Sequence, residues 1–262
     1  MHPIAFNLGP FTVRWYGVMM AIAFIAGLWT ASRRGLREGI AAEKILDIGP
    51  WLIVGTIIGA RALHVATYWN EEFAGRPLWE IFAVWKGGLV FYGGLIGASL
   101  AGILYARFKK IALWKLSDVL APSIPLGYVF GRIGCFLNGC CYGRSCSLPW
   151  AVSYPQGNIN GAPTHPVHPS QLYDSLLSLI LYIGLAWLYR RKKFDGQVFA
   201  TYLMCYAVTR SIVESFRGDY SPVHLHGAMN LTPGQLVSVG IFATGVALWA
   251  VLRRLQQKPP GS

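Results

Sequence analysis

The stretch SLLSLILYIGLAWLYRRKK, residues 175–193, contains the pattern that decides the fold. It has no charged residue from Ser175 to Tyr189 and then places four basic residues in succession. A helix that rises about 1.5 Å per residue needs about 20 residues to cross a hydrocarbon layer about 30 Å thick. Apolar segments followed by Lys and Arg are typical of transmembrane helices that end on the cytoplasmic side. The pattern therefore predicts a membrane span over residues 171–189.

Six further apolar stretches of similar length occur along the chain. The seven predicted spans cover residues 13–31, 47–69, 88–106, 118–138, 171–189, 197–216 and 234–252. The chain is 54% hydrophobic and only 13% charged, which excludes an ordinary soluble protein, and its 30 glycines suit closely packed helices. The predicted fold is all-α, a bundle of seven transmembrane helices in one domain, residues 1–262.

The distribution of basic residues predicts the orientation of the bundle. The loops 32–46, 107–117 and 190–196 and the C-terminal tail carry 15 of the 23 Lys and Arg residues. By the positive-inside rule these segments face the cytoplasm, the N-terminus lies outside, and the number of spans is odd. The net charge of +12 therefore reflects topology and contact with anionic membrane lipid, and not a nucleic-acid partner. The segments around 70–87 and 139–170 are predicted to form a small extracytoplasmic cap.

Ionisable residues inside the predicted spans indicate a functional site, because a charge is costly to bury in lipid. Arg132 in the fourth span and Arg210 in the sixth lie at a similar depth, near the outer surface. Glu214 and Arg217 follow Arg210 at i+4 and i+7, along the same face of the helix. Guanidinium groups bind phosphate oxygens bidentately and stay charged when they are partly desolvated. The sequence therefore predicts a site for an anionic phospholipid headgroup.

Other polar side chains enter the membrane at the same level, from six helices in all. Outer-end arginine and aromatic residues also snorkel or form interface belts without any further role, and this structural explanation is open for each residue taken alone. Their convergence on one layer predicts a single site. Those outside the fourth and sixth spans are Tyr16, Arg61, His64, Tyr92, His168, Gln171, Tyr173 and Asp174.

Several motifs resemble, in order, the signature segments of the prolipoprotein diacylglyceryl transferases. The central one is GRIGCFLNGCCYGR, residues 131–144, which resembles the family segment in which a Gly-Arg pair is followed by Asn-Phe-x-Asn, an acidic residue and a closing Gly. The similarity extends over nearly the whole chain. The other motifs are FTVRWYGVM at 11–19, WKGGLVFYGGLIGA at 85–98, HPSQLYD at 168–174, TRSIVESFRGD at 209–219 and TPGQLVS at 232–238.

The resemblance implies an enzyme of the bacterial cytoplasmic (inner) membrane that carries out the first step of lipoprotein maturation. It would transfer the diacylglyceryl group of phosphatidylglycerol to the lipobox cysteine of a preprolipoprotein, forming a thioether and releasing glycerol phosphate. No metal or other cofactor is implied. The expected catalytic residues are Arg132, Arg210, Tyr92 and Glu214. The expected substrate-binding residues are Tyr16, Asn138, Gly143, Arg217, Arg61, His64, His168 and Gln171.

The chain departs from the family pattern at three positions. Tyr92 stands where many members have His, Cys135 where the signature has its first Asn, and Cys140 where it has an acidic residue. The base that would deprotonate the substrate thiol is therefore open. Tyr92, His64 and His168 are candidates, and the field of the arginines alone is a further possibility because it lowers the thiol pKa.

The cysteines support an alternative interpretation. Cys135, Cys140, Cys141 and Cys146 fall within twelve residues, and such a cluster suits a membrane thiol-redox or metal-binding protein. However, no CxxC pair is present, and we expect adjacent cysteines not to serve one tetrahedral site. A structural disulfide from Cys140 or Cys141 to Cys146 is the expected state in an oxidising compartment. A transporter is disfavoured because the sequence shows no inverted repeat.

Overall fold

The described part of the chain contains eight α-helices and four short strands. The structure is a computed structural model that describes residues 3–9, 11–155, 164–217, 223–224 and 230–257. Parts of the predicted cap around 139–170 and the end of the C-terminal tail lie outside the described residues. The helices are α1 (Trp15–Arg37), α2 (Ala42–Thr67), α3 (Phe91–Phe108), α4 (Leu113–Leu120), α5 (Ser123–Asn138), α6 (Ser170–Tyr189), α7 (Gln197–Glu214) and α8 (Pro233–Gln257).

Among the described residues, six helical segments are long and apolar enough to cross a membrane. They comprise α1, α2, α3, α4 together with α5, α6 and α8. The predicted all-α membrane fold is confirmed. The remaining helix, α7, has 18 residues but contains Arg210 and Glu214, which make it less apolar. The count of seven spans and their orientation stay predictions.

The described residues form two compact units, and a single domain stays a prediction. The first unit comprises Met1–Ala31 and Ser117–Ser262, and the second comprises Ser32–Leu116. Within the first unit, α6 packs against α5 and α7, and α7 packs against α8. This order places the polar faces of α5, α6 and α7 side by side.

The first unit also contains the strands, which the sequence did not predict. β1 (Ile4–Leu8) and β2 (Phe11–Arg14) form an antiparallel hairpin directly before α1. β3 (Val223–His224) and β4 (Asn230–Leu231) form a second antiparallel pair before α8. Both pairs lie outside the helices, and the fold is mainly helical.

The fourth predicted span, 118–138, is broken in the structure. α4 ends at Leu120 and α5 begins at Ser123, with Pro122 at the junction. Proline has no N–H to donate to the preceding turn, and its ring clashes with the carbonyl four residues earlier. The Ser123 hydroxyl donates to the Gly27 carbonyl oxygen at 2.6 Å, which fastens the start of α5 to α1.

Small residues let α5 lie close to α1 within the first unit. A Cβ atom placed on Gly134 would lie 3.3 Å from the Tyr16 ring and 3.2 Å from Cβ of Met19. Gly127 lies opposite Ala23 in the same interface. Close backbone approach through small residues is typical of membrane helix pairs. This packing places Tyr16 one turn from the polar end of α5.

Asp118, near the C-terminal end of α4, connects this helix to the N-terminal end of α7. Its carboxylate, which is fully buried, accepts hydrogen bonds from the backbone N–H groups of Gly196 at 2.8 Å and Phe199 at 3.0 Å. Lys192 Nζ lies 3.3 Å from the same carboxylate. Helix N-termini leave backbone N–H groups without partners inside the helix, and an acceptor here satisfies them.

In the second unit, α2 and α3 pack closely through glycines. A Cβ atom on Gly59 would collide with the Gly93 carbonyl oxygen and would lie 2.8 Å from Cα of Gly97. Three short helical turns connect the two helices, at Trp69–Phe73, Leu78–Phe82 and Val84–Lys86. The glycine-rich motif at 85–98 therefore has a packing role in this pair.

Candidate active site

Arg132, in the C-terminal half of α5, is held by two polar residues. Its Nε atom lies 2.8 Å from Oδ2 of Asp174 on α6, and both side chains are largely buried. Its Nη2 atom donates to the hydroxyl of Tyr128, one turn earlier in α5, whose ring lies beneath the guanidinium. The Tyr128 hydroxyl in turn donates to Asp174 Oδ2 at 3.3 Å. A buried guanidinium is tolerable only with such partners, and here they also fix its position.

Arg210 on α7 has a similar arrangement with its own carboxylate. Its Nη2 atom lies 2.6 Å from Oε2 of Glu214, which is 1% exposed. Thr232 Oγ1 donates to Glu214 Oε1 at 3.3 Å. A Cβ atom on Gly234 would lie 2.6 Å from that same oxygen, so any larger residue at this position would displace the carboxylate. The TPGQ segment therefore positions Glu214, and through it Arg210.

The two arginines belong to one electrostatic cluster. The Asp174 carboxylate interacts with Arg132, Arg210 and Arg217. The cluster thus has three guanidinium groups and two carboxylates, Asp174 and Glu214, which leaves an excess of positive charge. Arg210 Nη1 is buried and has no hydrogen-bond partner among the described residues. A buried donor of this kind requires a partner, and an anionic ligand is the group that the cluster's charge favours.

Gly143 lies where three segments of the chain meet. Its N–H donates to the His168 carbonyl oxygen at 2.9 Å, and its backbone forms an isolated antiparallel β-bridge with that of Arg217. A Cβ atom on Gly143 would lie 2.6 Å from the Phe216 carbonyl oxygen. The loop after α5, the start of α6 and the end of α7 therefore meet only because this residue has no side chain. Gly143 acts on the site through the backbone.

His168 and Gln171 hold the same loop in the structure. Gln171 is fully buried, and its amide donates to the Cys140 carbonyl oxygen at 2.7 Å and to the Tyr154 hydroxyl at 3.0 Å. Burial raises the pKa of Tyr154. His168 Nδ1 lies 3.2 Å from the Tyr173 hydroxyl. Both residues lie in the first unit with the arginines, but their observed bonds are to protein groups.

Asn138 lies beside the cysteines. Its Nδ2 atom is 3.8 Å from Sγ of Cys140. The thiols of Cys135, Cys140 and Cys141 lie within 4.8 Å of one another. Hydrogen bonds from the Cys135 and Cys140 thiols lower the pKa of Cys141. Cysteines 140, 141 and 146 are free in the structure, so the disulfide expected from the sequence is absent.

The three remaining predicted residues lie in the second unit. Arg61 is buried, and its guanidinium donates to the carbonyl oxygens of four residues in the segment 80–88. His64 Nε2 lies 3.1 Å from Oε2 of Glu72. Tyr92 is 54% exposed at the start of α3. The first two residues thus bond to protein groups, and the contribution of all three to the site stays a prediction.

Tyr128, Thr232 and Gly234 were not predicted to belong to the site, and Asp174 was predicted to lie at its level without a specific role. A signal was present for Tyr128, because it precedes Arg132 by four residues and therefore shares its helical face. The bond of Asp174 to Arg132 connects two helices, so no spacing in the sequence indicates it. Nothing in the sequence indicated that Gly234 contacts a carboxylate.

These features define a class of protein: a multi-pass membrane protein whose buried arginine cluster suits a phosphate anion. Residues 3–251 match the family described as prolipoprotein diacylglyceryl transferase. The chain belongs to this family. It is therefore related to diacylglyceryl transferase enzymes of lipoprotein biogenesis, and the alternative of a thiol-redox or metal-binding protein has no support from the comparisons.

Curated relatives agree with this assignment along their full length. Three proteins named phosphatidylglycerol–prolipoprotein diacylglyceryl transferase illustrate the similarity. The one from Methylibium petroleiphilum is 40% identical, covering 94% of this chain and 94% of the relative. Those from Chromohalobacter salexigens and Geobacter sulfurreducens are 38% and 37% identical, covering 96% and 98% of this chain and 92% and 97% of the relatives.

Proposed function

We propose that this protein transfers the diacylglyceryl group of phosphatidylglycerol to the lipobox cysteine of a preprolipoprotein. A bond forms between the cysteine sulfur and the glycerol carbon, while the bond from that carbon to the phosphate oxygen breaks. The electron pair leaves with glycerol phosphate. The reaction would take place in the bacterial inner membrane, as the first step of lipoprotein maturation. Family membership, the names of the relatives and the arginine cluster support this proposal.

The charge of the leaving group connects the reaction to the cluster. A phosphodiester has one negative charge, whereas the departing phosphate monoester gains charge as the carbon–oxygen bond breaks. Groups that bind this growing charge more tightly than the ground state accelerate the step. The observation that carries the proposal is the pair of buried arginines, Arg132 and Arg210, in a cluster with excess positive charge.

Each residue then has a defined role in the proposal. Arg132 and Arg210 bind the phosphate oxygens, and Arg217 adds a third positive charge. Glu214 orients Arg210. Asp174 orients Arg132 in the same way, so both guanidinium groups are fixed before the substrate binds, which lowers the cost of reorganisation during the reaction.

The remaining predicted residues surround this centre. Tyr16, which packs on Gly134 of α5, is proposed to border the headgroup. Asn138 and Gly143 shape the loop beneath it. Tyr92 is proposed as the group that accepts the thiol proton, a role that requires the phenolate form. The residues His168, Gln171, Arg61 and His64 are proposed to contribute by holding the segments that surround the substrates.

The decisive experiment uses purified protein in detergent with phosphatidylglycerol and a peptide that contains a lipobox. Mass spectrometry of the peptide should detect one added diacylglyceryl group on the cysteine. A peptide with serine in place of the cysteine, and diacylglycerol in place of phosphatidylglycerol, serve as controls and should give no product. Absence of the adduct would refute the proposed function, and equal product from diacylglycerol would refute the role of the phosphate.

A further inference from the structure

The loop after α5 assembles three thiols that the transfer mechanism above does not use. The Sγ atoms of Cys135, Cys140 and Cys141 all lie within 4.8 Å of one another. All three residues are half-buried free cysteines. Three thiols that converge on one point form a donor set that Zn²⁺ and other thiophilic metal ions prefer.

The backbone explains how two adjacent cysteines face the same point. α5 ends at Asn138, and Gly139 is left-handed, with φ 74° and ψ 38°. Cys141 is also left-handed, with φ 61°. Consecutive side chains of an extended chain point to opposite sides, whereas this left-handed turn brings the thiols of Cys140 and Cys141 together. These two adjacent thiols therefore lie close enough to reach one metal ion.

The spacing of the thiols is close to that of a zinc–thiolate centre. Zn–S bonds of about 2.3 Å place the sulfur atoms of a tetrahedral site roughly 3.8 Å apart. The three thiols reach this geometry through shifts of about 1 Å or less. The first turn of α6 holds the loop, because Gln171 donates to the Cys140 carbonyl oxygen at 2.7 Å and Ser170 to that of Cys141 at 3.0 Å.

The thiols also lie beside the arginine cluster. Cys135 follows Arg132 by three residues in α5, so the two side chains share one helical face. Arg132 and Arg217 both interact electrostatically with Cys141. A ligand bound by the three sulfurs would therefore lie next to the proposed phosphate position, where the substrate thiol has to arrive.

We propose that Cys135, Cys140 and Cys141 bind one Zn²⁺ ion in an open site whose fourth ligand is the substrate cysteine. This inference rests on the proposed transferase function, and it replaces the expectation that no metal is involved. Catalytic zinc sites keep three protein ligands and leave one position for water or substrate. A thiol that coordinates zinc is deprotonated, and its proton passes to water.

The bonds of this step balance without any oxidation or reduction. The zinc-bound sulfur attacks the glycerol carbon, and the carbon–oxygen bond breaks with its electron pair on the phosphate. The product is a thioether, which has no negative charge on sulfur and is a weaker ligand than a thiolate. The product sulfur therefore leaves the metal, and the fourth position is free for the next peptide.

Co²⁺ titration of the metal-depleted, reduced full chain tests the site directly, because thiolate-bound Co²⁺ has a strong charge-transfer absorption. We expect saturation at about one Co²⁺ per chain and displacement of the ion by Zn²⁺. Addition of a lipobox peptide should raise the absorption by about one third, as four thiolates replace three. The serine peptide should cause no increase. Absence of binding, or of the cysteine-dependent increase, would overturn the proposal.

Substitutions identify the ligands. The combined variant Cys135→Ser, Cys140→Ser and Cys141→Ser should lose the absorption, whereas Cys146→Ser and Cys205→Ser are matched controls that should keep it. Unchanged Co²⁺ binding by the triple variant would overturn the assignment. If the triple variant does not fold, the response of the unmodified protein to the two peptides still decides the matter.

Transfer activity separates this inference from the proposed function. Removal of the metal with a chelator should lower the rate of transfer from phosphatidylglycerol at least about tenfold, and Zn²⁺ should restore it. A full rate in the metal-depleted protein would overturn the zinc site and leave the transferase function intact. Bound metal without any transfer, under all metal conditions, would instead refute the transferase function.

Discussion

Arg132 and Arg210, the two arginines of the proposed site, are each paired with a carboxylate on a helix. Arg132 and Asp174 connect α5 to α6, and Arg210 and Glu214 lie one turn apart on α7. The second pair was predictable, because its partners have the i+4 spacing of one helical face. The first pair was not, because which residue of α6 faces Arg132 depends on how two helices pack. The sequence therefore predicted the arginines of the proposed site more completely than the carboxylates that pair with them.

Asp174→Asn tests the pairing of Arg132. The amide keeps the shape of the side chain but removes the charge that holds the guanidinium. Hydrogen bonds to charged groups contribute about 1.5–3 kcal/mol, so we expect transfer to fall roughly 10- to 100-fold. The rate of adduct formation on the lipobox peptide is the measurement, with Asp47→Asn as the control at a pair whose carboxylate is 58% exposed. An unchanged rate would show that Asp174 does not position Arg132.

Gly234→Ala tests whether Glu214 needs the space beside it. The added methyl group would lie 2.6 Å from Oε1 of Glu214 and would displace the carboxylate that orients Arg210. A misplacement of about 1 Å at a reacting centre costs up to about 100-fold in rate, so transfer should fall by at least about tenfold. Gly240→Ala is the matched control, since its Cβ atom would meet no atom within 4 Å in the same helix. Equal rates for the two variants would contradict the role of Gly234.

At the scale of helices, the predicted spans coincide with observed helices except where local chemistry intervenes. Pro122 separates α4 from α5, and the sequence does contain this signal. The β1–β2 hairpin was missed because strand pairing depends on partners and not on apolar periodicity. Of the seven predicted spans, that of α7 is not among the described segments apolar enough to cross a membrane, and α7 contains Arg210 and Glu214. Charged site residues thus lower the hydropathy by which the helix that carries them is recognised as a membrane span.

Asp118→Ala tests the contact that fixes the start of α7. The substitution removes the acceptor of two backbone N–H groups and leaves the amine of Lys192 without its buried partner. Loss of one partner from a buried pair costs about 3 kcal/mol or more, which should lower the unfolding temperature in detergent clearly. Asp47→Ala removes a carboxylate that is 58% exposed and 3.9 Å from Lys109, and should change stability by less than about 1 kcal/mol. Equal effects of the two variants would contradict this assignment.

At the scale of the whole molecule, composition and charge distribution were sufficient to predict a multi-pass membrane protein. Apolar length sets the number of candidate spans, and basic loops set their direction, because both depend on the bilayer and not on tertiary contacts. The order in which helices pack was beyond the sequence, since every span presents a similar apolar surface to lipid and to its neighbours.

Reporter insertions test whether α7 crosses the membrane. The positive-inside rule predicts that Lys193 lies in the cytoplasm, so a seventh span would place Arg217 outside. A phosphatase that is active only outside the cytoplasm should be inactive after Lys193 and active after Arg217, and a fluorescent protein that matures only inside should give the opposite result. The same result at both positions would show that α7 does not span and that the chain has an even number of spans.

The central claim is that two buried arginines stabilise the phosphate that leaves phosphatidylglycerol. The most direct test is the rate of diacylglyceryl transfer to the lipobox peptide by purified Arg132→Ala and Arg210→Ala, each compared with Arg190→Ala in an exposed basic loop. We expect losses of about 100- to 1,000-fold for the first two and none for the third. The Lys variants should also be impaired, because an ammonium cannot bind phosphate bidentately. A full rate of transfer by a folded Arg132→Ala or Arg210→Ala protein would contradict the claim.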